Sequence, residues 1–85
     1  MQNVSGLLGN VIQRLRRAEG ISQEKLAELA GVHRTYVSQL ERGLKSPTLV
    51  VFLKISKALN VPPSQIMRQI ETEIENLQNP QKFLD

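Results

Sequence analysis

Gly20, Gly31, Gly43, Asn60 and the Asn79-Pro80 step interrupt this chain at short intervals, and between these stops the apolar residues recur every three or four positions. That pattern predicts five short helices, and no stretch alternates with the two-residue period of a strand. Helices of this length do not stay folded alone, so they must share one core. The expected fold class is all-α: a compact five-helix domain over residues 1–78, with a tail at 79–85. There is no internal repeat, low-complexity tract or linker to divide it, and 85 residues leave room for one domain.

The first helix is expected over about Ser5 to Ala18, with Leu8, Val11, Ile12 and Leu15 on one stripe and Arg14 and Arg17 outside it. Gly20 is its stop, and Gly6 and Gly9 are expected to weaken its first turn. The second is capped by Ser22, carries Glu24 against the helix dipole, turns Leu26, Leu29 and Ala30 inward and stops at Gly31. The third begins after His33 and runs to Arg42, with Gly43 as its stop. At about 100° per residue, Val37 and Leu40 mark its buried side. Thr35, Ser38, Gln39 and Arg42 share the opposite side, with Arg34 and Tyr36 on the flanks. The fourth runs from a Thr48 cap to Asn60 with Leu49, Phe52, Ile55 and Leu59 as its core stripe. Pro63, whose missing N–H has no partner at a helix's first turn, opens a fifth that continues to about Leu77.

The residue types that are missing exclude several chemistries. With no cysteine and one histidine, His33, the chain has no material for a disulfide, a Cys- or His-rich metal site or a catalytic triad, so no enzyme activity, metal or cofactor is expected. The longest apolar runs, such as Leu49 to Leu53, fall far short of the roughly 20 residues of a membrane span, and Met1 to Gly9 lacks the build of a signal peptide. A soluble, cytoplasmic protein is expected, with neither a membrane nor a small-molecule substrate as partner. Charge is unevenly spread. Residues 1–68 hold ten Lys/Arg against four acids, a net of +6, whereas residues 69–85 hold Lys82 against Glu71, Glu73, Glu75 and Asp85, a net of −3. A basic body with an acidic end suits a polyanionic partner at one side and something else at the other.

The informative stretch is Ser22 to Gly43: a short capped helix, a turn at Gly31-Val32-His33, and a second short helix with a polar outward face. This is the layout of a helix-turn-helix. Gly31 accommodates the sharp turn, and Ala30 and Val32 are small enough for the two helices to cross closely. The major groove of DNA, about 12 Å wide, admits one such helix. The runs Gly20 to Val32, Val37 to Gly43, Ser46 to Leu49 and Ile55 to Val61 together resemble the phage Cro/repressor (Xre) type of DNA-binding domain. That resemblance covers about residues 7–70 and extends through all five helices. Within that family, His33-Arg34-Thr35-Tyr36-Val37-Ser38 followed by Glu41-Arg42-Gly43 most resembles the controller proteins of restriction-modification systems, small dimeric transcription regulators.

The resemblance implies a role for each matching residue. Arg34, Thr35 and Gln39 fall at base-reading positions, and an arginine there suits guanine O6 and N7. Gln23 falls at a position that binds backbone phosphate at a helix start. Tyr36, Ser38, Arg42, Lys45 and Ser46 are expected as further, mainly backbone, contacts. Glu41 and Arg16 match a structural ion pair between the third helix and the first. Plainer readings stand beside these: Arg34 as a solvated charge, Tyr36 with its ring on the scaffold, His33 as a cap, a phosphate contact or a tolerated departure from the small residue usual there. Duplex DNA is preferred to RNA because the chain has few aromatic residues to stack on single-stranded bases.

One reading helix sees too few base pairs to discriminate well, so a homodimer on a pseudo-palindromic site is expected. Val50, Val51, Leu53, Ile70, Ile74 and Leu77 are the apolar residues assigned to its interface. The alternative is that Ile70, Ile74, Leu77 and Phe83 fold back on the first helix near Val4 and Leu7. A second functional class also fits: an antitoxin-like module whose fifth helix and tail bind a partner protein.

Overall fold

The computed structural model describes residues 3–78. Five helices follow one another: α1 (Val4–Glu19), α2 (Gln23–Ala30), α3 (Arg34–Glu41), α4 (Leu49–Ala58) and α5 (Pro63–Gln78), with no strand among the described residues. The tail expected at 79–85, and with it Phe83, lies outside the described residues.

Each start has a local cause. Side-chain oxygens of Asn3, Ser22 and Thr48 accept the N–H groups of Gly6, Lys25 and Val51 in the first turns, at 2.7, 2.9 and 3.2 Å. The chain leaves α2 through Gly31 at φ +69°, in the left-handed region where a β-carbon would be strained, and α3 starts three residues later at Arg34. The core that these turns close on takes Val11 and Ile12 from α1, Leu26 from α2, Val37 and Leu40 from α3, Ile55 from α4, Leu59 just past it and Ile66 from α5. All are almost wholly removed from water, and each such side chain contributes about 1.5–3 kcal/mol.

Four expectations change. Gly9 does not interrupt α1, which is helical from Val4 onward; it lets α1 touch the end of α3. A β-carbon at Gly9 would lie 2.7 Å from the Glu41 carbonyl oxygen, so the helices approach at backbone distance. Leu29 faces out, 52% exposed, because the inward side of α2 is centred on Leu26, Ala27 and Ala30, about 100° round the helix from it. Leu49, expected in the core, is 71% exposed. The buried side of α4 is completed instead by Ser56, whose hydroxyl donates to the Val61 carbonyl at 2.7 Å. Finally, α5 lies back along α1, where Arg14 pairs with Glu73. Ile70 is therefore buried in the chain's own core at 4% exposure, and Ile74 and Val51 are half-buried against that core. Of the six residues assigned to an interface between copies, Val50, Leu53 and Leu77 remain exposed.

Candidate nucleic-acid interface

Helix α3 is held from below by Val37 and Leu40, both fully buried, and this fixes which side faces water. Arg34, Thr35 and Arg42 are exposed there, while Tyr36, Ser38 and Gln39 are half-buried, with their outer edges reaching the same surface. Tyr36 also packs on the core, so its plainer reading holds in part: the ring rests on the scaffold. Burial pushes its phenol above the usual tyrosine range, so at neutral pH it is an O–H that donates or accepts.

The start of α3 is capped by His33, whose Nδ1 accepts the N–H of Thr35 at 3.2 Å. That bond requires Nδ1 to be the unprotonated ring nitrogen. After α3, the connecting loop carries Lys45 and Ser46 to the surface, and a hydrogen bond between the Ser46 and Ser5 hydroxyls ties this loop to the first turn of α1.

Beneath the surface lies a hydrogen-bonded ion pair. Arg16 Nε donates to Glu41 Oε2 at 2.6 Å, Arg16 Nη2 to Glu41 Oε1 at 3.0 Å, and Arg16 Nη1 to the Ile21 carbonyl at 3.0 Å. The side chains are 11% and 1% exposed. The bonds to Glu41 raise the Arg16 pKa further, and the guanidinium stays charged. Gln23 joins this pair: its Nε2 donates to Glu41 Oε1 at 3.0 Å. Glu41 is the one carboxylate between Gly31 and Thr48, and it is both buried and neutralised, so the exposed charge over this stretch is positive, from Arg34, Arg42 and Lys45.

The predicted residues thus fall into three groups. Arg34, Thr35, Tyr36, Ser38, Gln39 and Arg42 share the outward side of α3. Lys45 and Ser46 stand in the loop beside it, and Gln23 stands at the start of α2. The bonds between Gln23 and Glu41 and between Ser5 and Ser46 leave no sign in the sequence, since they join residues 18 and 41 positions apart with no periodic signal. Nor does a shallow apolar groove of about 480 Å³, lined by Val4, Leu8, Pro47, Leu49, Phe52 and Met67. Among the described residues no group of three or more His, Asp or Glu side chains is placed to hold a metal, and no helix is long and apolar enough to cross a membrane.

The sequence profile of the helix-turn-helix family matches residues 12–66. Control protein C.BamHI of Bacillus amyloliquefaciens is 41% identical over 66 residues, 76% of this chain and 82% of that protein. The HTH-type transcriptional regulator SutR of Escherichia coli is 33% identical over 82 residues, 96% of this chain, which spans only 46% of SutR's length. Among solved structures, the restriction-modification controller protein C.AhdI of Aeromonas hydrophila superposes with a TM-score of 0.71 at 40% identity, over 73% of this chain and 94% of that one. The controller protein C.Esp1396I superposes with a TM-score of 0.79 at 28% identity, over 87% and 95%. Its solved variants include substitutions of a consecutive arginine, threonine and tyrosine, the residue types and order of Arg34-Thr35-Tyr36 here.

Proposed function

The chain belongs to the helix-turn-helix family of the Cro/repressor type, and from that premise we propose that it is a transcription regulator that binds specific double-stranded DNA as a homodimer on a pseudo-palindromic operator. The observation that carries this reading is the outward side of α3: polar, bare, and free of any exposed carboxylate, with Arg34 and Thr35 at its leading turn. In the major groove, the N-terminal turn of such a helix reaches base edges. Arg34 would donate two bonds to a guanine, Thr35 would meet a neighbouring base, and Gln39, one turn on, would pair with adenine. Gln23, Tyr36, Ser38, Arg42, Lys45 and Ser46 would hold the phosphates on either side and set the register.

For the second copy, the supporting feature is the apolar strip of α4, Leu49, Val50 and Leu53, continuous with Met67 of α5. Such a strip on so small a domain calls for an apolar partner, and a two-fold pairing would set two α3 helices toward successive turns of one groove.

Titration of the purified chain against randomised duplexes at two salt concentrations tests both parts. A selected two-fold-symmetric sequence, with affinity falling steeply as salt rises, is expected. Copurification of a stoichiometric protein partner, with no salt-sensitive retention of DNA, would replace this reading with that of an antitoxin-like module.

A further inference from the structure

Gln23 is the first residue of α2, and its carboxamide is already engaged before any ligand arrives. We propose that Glu41 is a positioning residue for phosphate binding: it holds the nitrogen end of the Gln23 carboxamide so that the second N–H is presented to a DNA phosphate oxygen. This rests on the reading of α2 and α3 as a DNA interface and adds to it a role for a residue that makes no contact with DNA.

The chemistry of the three groups supports the assignment. A carboxylate only accepts, so the amide nitrogen and not the amide oxygen must face Glu41, and the carboxamide cannot flip. One of its two N–H bonds is used at 3.0 Å, which leaves the other available on a half-buried side chain. At the same helix start, Ser22 Oγ takes the N–H of Lys25, while the first N–H groups of α2 have no partner within the helix. Gln23 and this helix end would therefore grip one phosphate oxygen together.

A lone carboxylate so near the phosphates would repel them. Arg16 removes that objection by meeting both oxygens of Glu41, and its third bond, to the Ile21 carbonyl, fixes the backbone just before α2. A glutamine free to rotate would lose its rotamer freedom on binding, whereas this one has lost it on folding.

The test is a double-mutant cycle in duplex affinity, with the folded fraction of each variant measured by circular dichroism under the binding conditions. Gln23→Ala is expected to weaken binding about ten-fold, the size of one hydrogen bond to a charged group. Glu41→Gln is expected to bring a comparable loss in the unaltered background and none where Gln23 is already Ala. Equal losses in both backgrounds would show Glu41 acting through the fold alone and overturn the proposal, as would a Gln23→Ala variant that binds normally.

Since Glu41→Gln breaks a buried pair and risks unfolding, the second measurement uses the unaltered chain. Nuclear magnetic resonance relaxation of the Gln23 Nε2 should show it as rigid as the backbone of α2 before DNA is added, with one of its protons shifting on binding. A freely rotating carboxamide in the free protein overturns the proposal even if DNA binding stands. Failure of the unaltered chain to bind any duplex overturns the regulator reading, and this assignment with it, before any variant is made.

Discussion

Helices α3 and α4 each turn one side to water, and the two sides are built on opposite principles. The side of α3 carries Arg34, Thr35 and Arg42 over a buried layer in which the one nearby carboxylate is bonded to Arg16 and Gln23. The side of α4 carries Leu49, Val50 and Leu53, with Lys54 and Lys57 further along, and has no hydrogen-bonding layer beneath it beyond Ser56. A polar surface needs its donors aimed, so it depends on a network that fixes angles. An apolar strip needs only shape and a dry partner, so it depends on packing. The difference divides the labour of a small domain: one face suited to a polyanion, the other to a second protein surface.

Substitutions can separate the two faces. The largest effect should come from breaking the layer below α3. Arg16→Met leaves Glu41 buried without its partner and is expected to lower stability by about 3–5 kcal/mol, read as a fall in the urea midpoint. An unchanged midpoint would mean that α3 is held by its apolar side alone. Next, if the proposed dimer forms through α4, Leu53→Glu should raise its dissociation constant about a hundred-fold in sedimentation while leaving the helix content intact, since Leu53 is not part of the core. A dimer that survives would move the interface off α4.

Arg34→Ala should then cost about 2 kcal/mol of affinity for the selected operator and relax the preference at one base position in each half-site. Retained preference there would transfer the reading role to another residue. Lys45→Ala should weaken all duplexes alike and reduce the salt slope by about 1, with no change in sequence preference. The smallest effect concerns Tyr36. Because burial favours its neutral phenol, the stability it adds is complete below the ordinary tyrosine pKa of about 10 and is lost as the pH rises through the higher folded value. Above about pH 10, melting temperatures should fall faster for the unaltered chain than for Tyr36→Phe, and parallel curves would show that the ring is not held against the core.

What the sequence reveals of this fold is largely what is local. The caps Ser22 and Thr48, the stop at Gly31 and the entry at Pro63 act within a few residues of themselves, and each lies where the spacing predicts. The expected all-α class with five helices holds for the same reason. Periodicity located the apolar stripes but not how wide each contact is. Leu29 and Leu49 keep the spacing of core residues yet sit away from the centre of their helices' buried sides, where no other element covers them. The pairing of Arg16 with Glu41 was available only through resemblance to a family, since 25 positions separate the two. The branch from that pair to Gln23, and the true office of Gly9, depend on how α1 and α3 cross, and no one-dimensional pattern records a crossing.

That crossing has a mechanical corollary. With no side chain at Gly9, the far end of α3 rests on the backbone of α1 and not on a compressible cushion. A lever seated on such a hard stop cannot pivot when its near end is pulled toward a ligand. In the proposed complex, the angle at which Arg34 enters the groove would be set by Gly9, 25 positions earlier in the sequence.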